Sequence, residues 1–90
     1  MMNLQDALYN WLSIKVVHEA RRDDQAALDT YEFFTTILTE DHKLEEIEVE
    51  VDDPMYIVNY VKDGNKEQKQ FPIELIEALL VQIESEPKYN

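Results

Sequence analysis

Cysteine is absent from this chain, and glycine occurs once. Without cysteine there are no disulfides, thiolate metal ligands or thiol nucleophiles, and a reducing compartment is the natural setting. A single glycine leaves no glycine-rich loop to bring backbone amides onto a phosphate. Positive charge is scarce too: eight Lys and Arg stand against twenty Asp and Glu, for a net charge of -12. Such a field opposes contact with nucleic-acid phosphates or anionic lipid, so neither nucleic acid nor membrane is an expected partner. No apolar run is long enough to span a bilayer, and residues 1–6 lack the basic start of a secretory signal. Cytoplasmic residence is therefore the expectation.

What is present describes a folding chain. Hydrophobic residues make up 44% and charged residues 31%, a globular rather than a disordered balance. Ninety residues make one small domain over 1–90, with residues 86–90 reading as a short tail.

Residues 45–51 are the most legible segment. Ile47, Val49 and Val51 alternate with Glu46, Glu48, Glu50 and Asp52, which is the period of a strand with one apolar and one anionic face. Residues 40–53 hold eight acids offset by Lys43 alone, a net seven of the twelve negative charges.

Helical signals precede it. Asn3 is placed to cap a first helix in which Leu4, Ala7, Leu8, Trp11 and Leu12 form a stripe. Ile14, Val16, Val17 and Ala20 widen that stripe nearly all the way round, which predicts a helix central to its layer, with Arg21 and Arg22 in its last turn. Asp23 and Asp24 start a second helix with Ala27, Tyr31, Phe34 and Leu38 on one face, flanked by Phe33 and Ile37. His18 reads as a helix-face residue and His42 as a loop residue.

Two further strands are expected, about 55–62 and a weak one near 66–71, with turns at Asp53-Pro54 and Asp63-Gly64-Asn65. Pro72 then opens a last helix at its first position, with Ile73, Leu75, Ile76, Leu79, Leu80 and Ile83 facing the core. The fold expected is α+β: two N-terminal helices, a three-stranded antiparallel meander and a C-terminal helix, in the order ααβββα. A two- or four-residue turn at Asp53-Pro54 and a two-residue turn at Asp63-Gly64 or Gly64-Asn65 place Ile47, Val49, Val51, Tyr56, Val58, Tyr60 and Phe71 on one face, the one on which the helices pack. A first turn of odd length would invert the faces. The other face carries Glu46, Glu48 and Glu50 beside Met55, Ile57, Asn59 and Val61, with Lys66, Gln68 and Gln70 beyond.

That second face yields the candidate site. Glu46, Glu48 and Glu50 would steer a protein partner with a basic surface, and Met55, Ile57 and Val61 would be buried against it. The expected function is a non-enzymatic interaction protein, a regulator, inhibitor or accessory subunit, whose acids in one version imitate nucleic-acid phosphates. Against this stands the plain reading of the acids as a solvated edge that discourages strand addition. A homodimer through the same strip is a further alternative, with the acids at its rim.

A rival of another class is a divalent-cation site built from Asp41, His42, Glu45 and Glu46 with the turn acids. None of these segments has the spacing of a calcium loop, and His18-Glu19 lacks the second histidine of a zinc protease helix, so no metal or cofactor is assigned. Ser13 and Ser85 lie on helices without a nucleophile elbow, and no catalytic residue is assigned. From the second helix onward the order of elements resembles that of double-stranded-RNA-binding domains. Those modules meet phosphates with cations, whereas the last helix here opens with Glu74 and Glu77, so their function is not expected.

Overall fold

Asn3 begins the first helix, α1 (Leu4–Ala20), by accepting a hydrogen bond from the Asp6 N–H at 2.8 Å. This is the side-chain cap that an otherwise unpaired helix-start amide requires. The computed structural model describes residues 1–85, and the expected tail at 86–90 lies outside the described residues. Ala7, Leu8, Trp11, Leu12, Ile14 and Val17 are all buried, on faces too widely separated for one neighbour to cover. Accordingly α1 packs against both later helices. It ends at Ala20, one residue before the arginines expected in its last turn, and Arg21 is its C-cap.

Asp24 caps the second helix, α2 (Gln25–Thr36), by accepting from the Ala27 N–H at 3.1 Å. Its inward face carries Ala27, Tyr31 and Phe34. Phe33 lies off that face and is 61% exposed. Tyr31 stacks between Trp11 and His18, and the Trp11 indole N–H donates to Thr35 Oγ1 at 3.0 Å. The helix runs on as a π-helical turn, Ile37–Asp41, closed by the His42 N–H on the Ile37 carbonyl at 3.1 Å. His42 lies in the loop that follows, as expected. It is buried, with Nε2 2.8 Å from the Met2 carbonyl oxygen, and the Lys62 ammonium donates to its backbone carbonyl at 3.1 Å.

Three strands follow, β1 (Glu45–Asp52), β2 (Met55–Lys62) and β3 (Asn65–Pro72), paired antiparallel in the order β1-β2-β3. Both turns have two residues, because Asp52 pairs with Met55 and Lys62 with Asn65. Asp63 and Gly64 have φ of 53° and 78°, the paired left-handed conformations of a turn matched to strand twist. The expected register follows, with Val51, Tyr56 and Phe71 in one row and Val49 beside Val58. β3 is a full strand rather than a weak one. Its eight residues all pair with β2, and this pairing outweighs the poor strand propensity of its Lys and Gln.

Regular alternation in β1 is interrupted by a bulge. Glu45 pairs with Val61 and Glu48 with Asn59, so Glu46 and Ile47 together oppose Tyr60, with Glu46 at φ 52°. The extra residue still leaves Ile47 packed on the core.

The last helix, α3 (Ile73–Glu84), starts directly from the sheet, with Pro72 as its N-cap rather than its first residue. The Ile73 N–H donates to the Pro54 carbonyl at 2.8 Å, tying the helix start to the first turn. The main core joins Ala7, Leu8, Trp11 and Leu12 to Leu38, Leu44, Val58, Tyr60, Phe71 and Ile76. A second cluster is purely helical: Ile14, Val17 and Ala27, with Tyr31, Phe34, Leu80 and Ile83 against them.

Two expected core assignments are corrected. Leu75 and Leu79 are 49% and 37% exposed, because α3 rests on α1 and the edge of β3 and buries a narrower stripe than its apolar residues would fill. Val51 is 65% exposed, because the buried sheet residues are Val58, Tyr60 and Phe71, on β2 and β3, and the end of β1 extends past the helices. Among the described residues no helix is long and apolar enough to cross a membrane.

Candidate functional site

The helices cover one face of the sheet and leave the other open. On the open face the pairing brings Glu48, Asn59 and Gln68 into one row and Glu50, Ile57 and Gln70 into the next. Glu46, Glu48, Glu50, Asn59, Val61 and Lys66 line a shallow groove of about 310 Å³, with Tyr60 and Glu67 at its wall. Four of the six residues proposed from sequence therefore line one depression. Met55 and Ile57 do not line it; they lie farther along the same face, toward the Asp53-Pro54 turn, and are half-buried.

Hydrogen bonding gives this face a direction. Gln70 donates to Gln68 at 3.0 Å, Gln68 to Asn59 at 3.1 Å, and Asn59 to the Glu50 carboxylate at 2.6 Å. Gln68 and Asn59 turn their N–H groups across the sheet toward β1, while Gln70 donates along β3 to Gln68, so the relay ends with an N–H on the Glu50 carboxylate and helps hold the charge there. Among the described residues the salt bridges are Lys15–Glu19 and Arg21–Asp24, both remote from this face. No lysine or arginine of the chain is bridged to Glu46, Glu48 or Glu50 among those residues. Past the bulge, alternate side chains on a strand are roughly 6.6–6.8 Å apart, so Glu48 and Glu50 stand as a spaced pair rather than a chelating cluster.

Glu67 is the lining residue that sequence reasoning missed. It sits directly opposite Tyr60, and the Tyr60 hydroxyl donates to its carboxylate at 3.2 Å. The second turn's length determines this pairing, so the register alone carried the signal. Tyr56 makes the corresponding bond across the packed face, donating to Glu77 of α3 at 2.7 Å. Burial foremost, and then the carboxylate bonds, push both phenols up to about 12. Each therefore stays a neutral donor, fastening strand to strand at Tyr60 and sheet to helix at Tyr56.

The alternative cation cluster is not assembled. Among the described residues no three His, Asp or Glu side chains converge as metal ligands. Of Asp41, His42, Glu45 and Glu46, the histidine is turned inward to Met2, while the three acids are exposed, with Glu46 in the groove. Comparison with protein-family models, curated proteins and solved structures finds no match to this chain.

Proposed function

We propose that this chain is a non-enzymatic interaction protein, a regulator, inhibitor or accessory subunit, that receives a basic protein surface on the open face of its sheet. The observation that carries the reading is the groove, which gathers Glu46, Glu48 and Glu50 with Val61 on a face no helix covers. Magnitudes divide the labour. Exposed ion pairs contribute about 0.2–1 kcal/mol each, whereas fully burying an aliphatic side chain contributes about 1.5–3 kcal/mol. Met55, Ile57 and Val61 are already half-buried, so each retains roughly half of that for a partner. The apolar strip then supplies most of the affinity, and the glutamates set encounter rate and choice of partner. A nucleic-acid-binding protein, blocked by carboxylates standing where phosphates would, is the sharper form of this reading. The absence of cysteine supports a cytoplasmic setting.

The test is affinity capture from the source cell with the wild-type chain and with Glu46/Glu48/Glu50→Lys. All three side chains are exposed, so the variant is expected to fold. Partners held by the wild type and lost by the variant are the expected result. Equal recovery of the same partners by both chains would end the proposal.

A further inference from the structure

The sheet is open, and its two outer strands each pair on one side alone. Their free edges differ. β3 presents Lys66, Gln68 and Gln70 on the open face and packs beside α3 on the other. β1, past its bulge, is a regular run of five residues paired from Glu48↔Asn59 to Asp52↔Met55. Glu48, Glu50 and Asp52 alternate there with Val49 and Val51. Val51, 65% exposed, is the one large apolar side chain of the sheet left in water among the described residues.

We propose that β1 accepts along residues 48–52 an added strand from a protein partner, one whose side chains alternate between Lys or Arg and aliphatic residues. The inference rests on the basic-partner reading above and adds a mode of binding and a sequence pattern. Strand addition satisfies the alternate N–H and C=O groups that an edge leaves unpaired, while side chains on both faces select the occupant. A neighbour on β1 would hold its open-face residues about 4.5–5.5 Å from Glu48 and Glu50, where lysine or arginine is favoured and an acid is not. Its other residues would lie beside Val49 and Val51 and remove Val51 from water. The same charges turn away a second copy, because β1 against β1 sets glutamates beside glutamates on a chain of net charge -12. The bulge, with Glu46 at φ 52°, ends the regular edge and limits the added strand to about the length of 48–52.

A capped peptide of alternating lysine and valine, long enough to pair with residues 48–52, is titrated into the isotope-labelled full chain. Saturable shifts and slowed exchange of amides in 48–52 are expected. A peptide with the same side chains but N-methylated along its pairing edge should bind at least about tenfold more weakly. Val51→Ser should weaken binding several-fold, while Val81→Ser, equally exposed on α3, should leave it unchanged. Binding that is lost in Glu46/Glu48/Glu50→Lys but indifferent to N-methylation and to Val51→Ser overturns strand addition and leaves docking on the open face standing. Protection on β3 instead of β1 overturns it as well, as does a dimer of the chain alone that shields 48–52. If the peptide fails to bind at millimolar concentration, strand addition is overturned, and the capture experiment decides the face reading independently.

Discussion

Tyr56 and Tyr60 show how single side chains join the layers. Each hydroxyl bonds a carboxylate, Glu77 at 2.7 Å and Glu67 at 3.2 Å, and each phenol is pushed up to about 12 from an ordinary 10.0, chiefly by burial. In the unfolded chain both ionise near the ordinary value, so between about pH 10 and 12 the folded state holds the protons more tightly. Their contribution is complete below pH 10 and is lost as pH rises toward 12. Urea midpoints should therefore fall between pH 9 and pH 11 in the wild type. Tyr56→Phe should cost about 1–2 kcal/mol at neutral pH, through the lost bond to a charged acceptor, and should show a shallower alkaline fall. Parallel pH profiles for the two proteins would count against this account of Tyr56.

At the scale of elements, α3 is the informative case. Its apolar residues extend round more than one face, yet it rests on α1 and the β3 edge, so Ile76 is fully buried while Leu79 stands at the margin. Ile76→Ala should cost about 2–4 kcal/mol, for transfer plus cavity, with the midpoint shift read in urea. Leu79→Gln should stay within about 0.5–1 kcal/mol of wild type, because the side chain already meets water. A Leu79→Gln cost equal to that of Ile76→Ala would mean that this side of the helix is covered in solution. The bulge in β1 acts at the same scale. One additional residue, with Glu46 left-handed, keeps Ile47 inward and Glu46 in the groove even though the simple two-residue period is broken.

Across the whole molecule, charge opposes folding and shape exposes the site. A net -12 on a body of 45 × 28 × 20 Å repels itself, and only two side-chain ion pairs, one on α1 and one in the connection between α1 and α2, are found among the described residues. Raising salt from about 0.01 M to 0.15 M shortens the screening length from roughly 30 Å to 8 Å, which relieves the repulsion more than it weakens two surface pairs of at most about 1 kcal/mol each. The urea midpoint should therefore rise with salt. Binding of a basic partner should weaken over the same range, since screening removes its attraction. A midpoint that fell with salt would contradict the repulsion argument. The opposite signs for folding and binding separate the two effects in one set of buffers.

Local chemistry wrote much of this fold into the chain. Asn3 and Asp24 cap helices because a short side chain reaches an amide two or three residues on. Turns at Asp53-Pro54 and within Asp63-Gly64-Asn65 follow from residues suited to them, any even turn length gives the same faces, and the pairing of Asp52 with Met55 and Lys62 with Asn65 fixes both at two residues. The open face with Glu46, Glu48, Glu50, Met55, Ile57 and Val61 was legible for that reason. The bulge was not, because Glu46 adopts a left-handed conformation that its residue type does not announce. Nor were the burial of His42 against Met2, the strength of β3, or the exposure of Val51, Leu75 and Leu79. By itself the sequence determined the order of the elements, the N-caps of α1 and α2 and, given even turns, the sidedness of each strand, all interactions spanning a few residues. Tertiary structure alone decided how far the helical layer reaches across the sheet. That reach depends on where α1 and α3 come to rest, and it is what leaves the acidic face and the end of β1 in water.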